Sequence, residues 1–143
     1  MRLIYAFFLL LTSNLILAQD RVEWSFSFDD PSSEVRIKAE IAEGWHLYSQ
    51  HVNNDIGPVP TSFEFEESSF YALQGSTREP RALKEYDENF KGELDFFKDS
   101  VTFVQRIALN GSGVLKGTVV YMVCNDTMCL PPTDVPFEIT IEK

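Results

Sequence analysis

Cysteine is almost absent from this chain: Cys124 and Cys129 are the only two among 143 residues. One intrachain bridge is therefore the most it can close. Histidine is equally scarce, with His46 and His51 alone. Basic residues are outnumbered, 12 Lys and Arg against 22 Asp and Glu. A surface this acidic repels phosphate backbones and anionic headgroups, so nucleic acid and a general membrane surface are poor partners. Past the first eighteen residues, no apolar run approaches the roughly 20 residues that a spanning helix needs. There is no internal repeat, no low-complexity tract and no convincing long helical pattern. At roughly 100–200 residues per domain, the chain is long enough for one.

The amino-terminal stretch differs from the rest. Arg2 gives a positive start, residues 3–11 are apolar and uncharged, and Thr12-Ser13-Asn14 interrupts the run before residues 15–18. A basic tip, a short apolar core and a small residue at the exit are the pattern of a secretory signal peptide. Residues 1–18 are expected to be removed, with cleavage after Ala18, leaving residues 19–143 as the mature domain. The early polar interruption argues against a transmembrane anchor. No cysteine stands at the cleavage site to carry a lipid. Cleavage removes one arginine and no acid, so the mature chain is more acidic than the net −10 of the whole. Export places the two cysteines where disulfides form and persist.

Period-2 alternation dominates the mature chain. In residues 22–28, Val22, Trp24, Phe26 and Phe28 share one face; in Glu34–Ile41, Val35, Ile37, Ala39 and Ile41 do. The residues between, 29–33, carry turn chemistry. Further strands are expected over 45–52, 61–65, 70–73, 101–109, 117–123 and 135–141. Residues 53–60 form a loop dense in turn formers, and Asn110-Gly111-Ser112-Gly113 is a strong turn signal. Residues 75–100 are the least regular and read either as a long loop or as a short helix over 81–90. Trp45, Phe63, Phe65 and Phe103 are expected in the core. About eight short strands with regular turns fit an all-β sandwich or barrel. The size favours an immunoglobulin-like sandwich.

The cysteines lie in Cys124-Asn125-Asp126-Thr127-Met128-Cys129, followed by Leu130-Pro131-Pro132. Apolar residues lead in and alternating residues lead out, so the motif reads as the tip of a β-hairpin. Three chemistries compete. A plain structural disulfide is the default for an even cysteine count in an exported chain. Its short loop weakens that reading, since closing about six residues is worth roughly 2 kcal/mol against about 4–5 for a 100-residue loop. A zinc site with His46 and His51 is disfavoured, because two residues five apart on a strand face opposite ways. A redox pair is the third. Close spacing serves it directly, since a second thiol must sit near enough to resolve a mixed disulfide. Asp126 beside the sulfurs raises a thiol pKa, so the activated thiolate would come from a partner.

The run from Val120 to Pro132 resembles the active-site hairpin of the amino-terminal periplasmic domain of DsbD, the thiol:disulfide interchange protein family. Two more segments agree in order. Gly44-Trp45-His46-Leu47-Tyr48 resembles the family's glycine-aromatic-aromatic-Leu-Tyr strand. Tyr86-Asp87-Glu88-Asn89-Phe90-Lys91-Gly92 resembles its acidic and aromatic cap loop. The resemblance covers roughly residues 22–142. Four residues separate the cysteines here where better-known members have five, so the hairpin tip is expected to differ.

The resemblance implies an immunoglobulin-like β-sandwich with a long cap loop over a cysteine-bearing hairpin. It implies that Cys124 and Cys129 are the redox pair, with Cys129 forming mixed disulfides and Cys124 resolving them. Phe90 would be the cap residue shielding the sulfurs, with Asp87 and Glu88 beside it and His46 and Tyr48 lining the site. The implied partners are the thioredoxin-like domain of a membrane thiol reductase, on a separate chain, and periplasmic disulfide oxidoreductases or isomerases as clients. The domain would be a component of a protein-disulfide reductase, working in the periplasm with no cofactor and no metal. The alternative is a non-catalytic β-sandwich binding or adaptor module in which Cys124–Cys129 is only a staple.

Overall fold

The computed structural model describes residues 20–52, 55 and 57–143. The signal peptide expected over residues 1–18 lies outside the described residues, as do positions 53, 54 and 56 of the loop after His51. Among the described residues the chain is all β, with no α-helix and no helix long and apolar enough to cross a membrane.

Eleven strands run in chain order: β1 Val22–Asp29, β2 Glu34–Ile41, β3 His46–Tyr48, β4 Ser62–Phe65, β5 Tyr71–Arg78, β6 Leu83–Asp87, β7 Gly92–Phe97, β8 Ser100–Leu109, β9 Gly113–Tyr121, β10 Val123–Cys124 and β11 Thr133–Ile141. They form three antiparallel sheets, ordered β1-β2-β8-β5, β10-β3-β7-β6 and β11-β9-β4. The first sheet faces the other two across the main core, which makes an immunoglobulin-like sandwich.

Alternation in the sequence becomes burial here. Val35, Ile37, Ala39 and Ile41 of β2 are buried, and the residues between them are exposed. Val101, Phe103 and Ile107 of β8 meet Leu47, Phe97, Leu115, Val119 and Phe137 from the opposing strands in one cluster. Phe103 is the hub, fully buried, with ring centroids of Phe63, Phe97 and Trp24 at 4.8, 5.8 and 6.3 Å. Phe26 stacks on Phe137 at 4.4 Å. That close approach needs Gly117, where a Cβ would stand 2.5 Å from both the Glu64 carbonyl oxygen and the Phe137 ring.

Two expectations are corrected. Residues 75–100 are neither one long loop nor a short helix over 81–90. They hold the end of β5 and the β6–β7 hairpin, and only the four residues 88–91 at its tip are a turn. The strand read over residues 45–52 is paired only over His46–Tyr48. The Ser49 amide still donates to the Asp95 carbonyl at 3.0 Å, and past it Glu79 takes over by accepting hydrogen bonds from the Ser49 hydroxyl and the Gln50 amide.

The cysteine-bearing segment depends on a change of strand partner. β9 pairs with β11 up to Tyr121↔Thr133. One residue later, past Met122, β10 pairs with β3 as Val123↔Leu47 and Cys124↔His46. The switch carries Cys124 away from the main core and onto the outer face of the β10-β3-β7-β6 sheet.

Candidate functional site

That outer face has its own small core. Tyr48, Val52, Leu94, Phe96 and Cys124 are buried together, with Phe90, Met122 and Cys129 partly buried against them. It is distinct from the main cluster, because successive strand residues point to opposite faces: Leu47 and Phe97 look into the sandwich while Tyr48 and Phe96 look out.

Cys124 and Cys129 are joined as a disulfide, with Cα atoms 4.0 Å apart. The register explains the closeness. The Asn125 amide donates to the Met128 carbonyl at 2.9 Å, and the Leu130 amide to the Val123 carbonyl at 3.0 Å. The two cysteines between them form a non-hydrogen-bonded antiparallel pair, the kind whose side chains approach most closely. A gap of four residues thus places one hydrogen-bonded pair, 125 and 128, around a two-residue turn. Asn125 shapes that turn: its side-chain oxygen accepts from the amides of Thr127 and Met128 at 2.9 and 2.8 Å. Asparagine is favoured in turns for this local bonding, a signal that was present in the sequence. The two cysteines are unequal, since Cys124 is fully buried while Cys129 is partly exposed.

The tip of the β6–β7 hairpin folds down beside this pair. Asp87, the last residue of β6, is 2% exposed. Its Oδ1 accepts the amides of Asn89 and Phe90 at 2.8 and 3.1 Å. Its Oδ2 accepts the Tyr48 hydroxyl at 2.7 Å and lies 3.0 Å from His46 Nε2. One carboxylate therefore shapes the turn that carries Phe90 and ties it to β3. Asn89 adds a second tie, donating its side-chain amide to the Asn125 carbonyl at 2.7 Å. Phe90 stands edge-on to Tyr48, with centroids 5.9 Å apart. It also lies against Gly57 (φ 119°), where a Cβ would come within 3.0 Å of the ring. Glu88 is exposed and pairs with Lys91 at 3.0 Å.

Electrostatics follow from burial and these bonds. Burial works to raise the Asp87 carboxyl. The hydrogen bonds from Tyr48, the Phe90 amide, His46 and the Asn89 amide outweigh it, so the carboxyl is held below its ordinary value. Tyr48 is pushed well above the ordinary phenol value by burial first, then by its bond to Asp87 and that charge. The pair is an ionised acceptor and a permanent donor.

The residues singled out from sequence lie near one another: the cysteines, His46 and Tyr48 on one sheet face, Asp87 bonded to His46 and Tyr48, Phe90 packed in the same cluster, and Glu88 exposed next to Asp87. Asn89, Asn125 and Gly57 lie with them and were not read from sequence. His51 is exposed, away from the sulfurs on a different stretch. Among the described residues no group of three or more His, Cys, Asp or Glu side chains is placed to hold a metal ion.

Fold and site define an immunoglobulin-like domain bearing a disulfide at a hairpin tip, the form of a thiol–disulfide exchange module. The chain belongs to the family described as thiol:disulfide interchange protein DsbD, N-terminal, whose sequence model matches residues 13–140. Solved structures agree on the fold. The DsbD N-terminal domain of Neisseria meningitidis in its reduced form has 18% identity and a TM-score of 0.66, covering 90% of this chain and 92% of that one. A complex between the DsbD and PilB N-terminal domains of the same organism gives 17% and 0.64, over 87% of each chain. The N-terminal periplasmic domain of ScsB from Proteus mirabilis gives 15% and 0.58, over 82% of this chain and 44% of that one. No curated protein sequence matches significantly.

Proposed function

We propose that this chain is an exported domain that relays electrons through Cys124 and Cys129 in the periplasm. It takes them from the thioredoxin-like domain of a membrane thiol reductase and passes them to periplasmic disulfide oxidoreductases or isomerases. The observation that carries the reading is the asymmetry of the bridge: a partly exposed Cys129 and a fully buried Cys124 at a hairpin tip, under a turn held by a few hydrogen bonds. Family membership supports the chemistry. The Neisseria complex supports a protein partner, and the ScsB domain supports a periplasmic place.

The cycle has four exchanges. The donor's thiolate attacks Cys129, and Cys124 leaves. The donor's second thiol then attacks the mixed disulfide, so the domain departs reduced and the donor oxidised. Reduced Cys129 attacks a client's disulfide, and Cys124 resolves the adduct, restoring the bridge. Phe90 is the shield that a partner displaces; Asp87 and Glu88 flank it, and His46 and Tyr48 form the floor.

Cys124→Ser should accumulate a mixed disulfide through Cys129 with a thioredoxin-like protein, read on non-reducing gels. The wild-type pair should be less reducing than about −300 mV, the limit typical of structural bridges. A more reducing pair together with no trapped adduct would leave the staple reading standing. The shield has its own test. Phe90→Ala should speed reduction of the bridge by small thiols about tenfold, since attack depends on access to the sulfur. An unchanged rate would remove Phe90 from the role.

A further inference from the structure

The exchange cycle leaves one buried ionisable group at the site without a chemical task. His46 stands directly across the strand pair from Cys124, so both side chains leave the same face of the sheet, and opposed side chains of this kind have Cβ atoms roughly 5 Å apart. Its Nε2 lies 3.0 Å from Asp87 Oδ2 and 3.1 Å from the Tyr48 hydroxyl. Tyr48 donates its own proton to Asp87, so the carboxylate is the acceptor for both groups and Nε2 carries hydrogen. The ring is wedged against Phe96, with centroids 4.5 Å apart, and is 6% exposed. It nevertheless walls two small surface clefts. Glu85, Tyr86, Asp87, Glu88, Lys98 and Asp126 line one with it; Lys98, Asp99 and Asp126 line the other. The imidazole therefore joins solvent to the neighbourhood of a buried sulfur.

Reduction of the bridge creates a problem at that sulfur. As a thiolate attacks Cys129 Sγ, a new S–S bond forms there and the bond to Cys124 breaks, leaving the electron pair on Cys124 Sγ. That atom belongs to a fully buried residue, near an ionised carboxylate. Burial and negative charge both disfavour a thiolate, and a thiol that holds charge badly leaves slowly. We propose that His46 is the proton donor to Cys124: the imidazolium gives its proton to Cys124 Sγ as the S–S bond breaks, and the ring is reprotonated from water in the clefts. In the reverse direction neutral His46 takes the proton from the Cys124 thiol as it closes the bridge. In this step the attacking sulfur becomes half of a mixed disulfide with Cys129, and Cys124 keeps the electron pair of the broken bond and takes one proton from the ring; the reductant's second thiol then releases Cys129 and completes the two-electron reduction. Asp87 orients the ring, as a carboxylate does behind a catalytic histidine.

This proposal rests on the exchange reading but is tested apart from it. The probe is dithiothreitol acting on the oxidised wild type, His46→Phe and His46→Gln, with rate constants expressed per thiolate from pH 5 to 9. The wild-type rate should rise as pH falls, because only the protonated ring can give the proton. Both variants should be flat and slower at pH 6 by about 100-fold, the lower range for a lost general acid, and should converge on the wild type near pH 9. A role in holding the cap alone would do the opposite, with His46→Phe reduced faster at every pH; that result overturns the proposal. So does a wild-type profile with no gain on the acid side, a measurement that needs no variant to fold. His46→Gln retains a donor for Asp87 but cannot titrate, so an acid-side gain surviving in it also overturns the assignment. Trapping through Cys124→Ser reads the exchange function independently, so failure of that function with an intact His46 profile is recognisable.

Discussion

Asp87→Ala should lower the stability of the folded domain by about 3 kcal/mol and, in the same variant, open the bridge to reductant. The magnitude comes from what the carboxylate holds. Hydrogen bonds to a charged group contribute about 1.5–3 kcal/mol each in deletion experiments, and removing one member of a buried polar set costs about 3–5. Asp87 accepts from Tyr48, from the Asn89 and Phe90 amides, and from His46, and it is 2% exposed. Its loss leaves the Tyr48 hydroxyl buried without its acceptor and releases the turn that positions Phe90. Urea unfolding gives the first quantity, and the rate of bridge reduction by a small phosphine gives the second. The pH dependence has a fixed sign. The folded-state carboxyl lies below its ordinary value, so its contribution is fully present above the unfolded value near 4 and is lost as pH falls through the lower folded value. The difference between wild type and Asp87→Ala should hold steady from neutral pH to about 5 and close only below about 4. A difference that closed between pH 6 and 7 would mean that another group sets the stability of the turn.

Phe103→Ala should cost more in stability and nothing at the bridge. The ring is fully buried and touches aromatic rings from β1, β4 and β7. Emptying such a site forfeits burial and leaves a cavity, together about 3–5 kcal/mol. Because domains of this size typically have about 5–15 kcal/mol of stability, the variant should still fold. Phe97 packs on Phe103, yet its neighbour Phe96 faces the other way, into the cluster beneath the disulfide. Under native conditions the variant's bridge should therefore be reduced at the wild-type rate. Acceleration matching that of Asp87→Ala would show that the two cores open together.

The contrast between these variants also explains what the sequence revealed. β2 and β8 have one face in the core and one in water, so their alternation was plain. β6 has Leu83, Lys84, Glu85 and Tyr86 all exposed, with only Asp87 buried. A strand that buries one carboxylate and nothing apolar has no period to read, which is why a loop and a helix both fitted there. The same residue defeated the reading of charge. Asp87 and Glu88 look alike in sequence as an acidic pair on a solvated face, but one is buried at the centre of a hydrogen-bonded network and the other pairs with Lys91 at the surface. Nothing local separates them. The difference is made by Tyr48 and His46, some forty residues earlier in the chain. The cysteine hairpin was legible because its signals are local: two cysteines, an apolar run leading in, an alternating run leading out and two prolines. Asn89 and Gly57 act through contacts distant in sequence and gave no such signal.

The bridge's position on its own outlying cluster bears on its energetics through a closed thermodynamic cycle. Whatever the disulfide adds to the stability of the fold, the fold must add to the stability of the disulfide. Closing a loop of about six residues stabilises a folded chain by roughly 2 kcal/mol in the chain-entropy picture, which for two electrons corresponds to about 45 mV. Folding can therefore make this pair only slightly more reducing than the same two cysteines in the unfolded polypeptide. A pair so weakly coupled to the sandwich can be opened and closed repeatedly while the domain stays folded in both states.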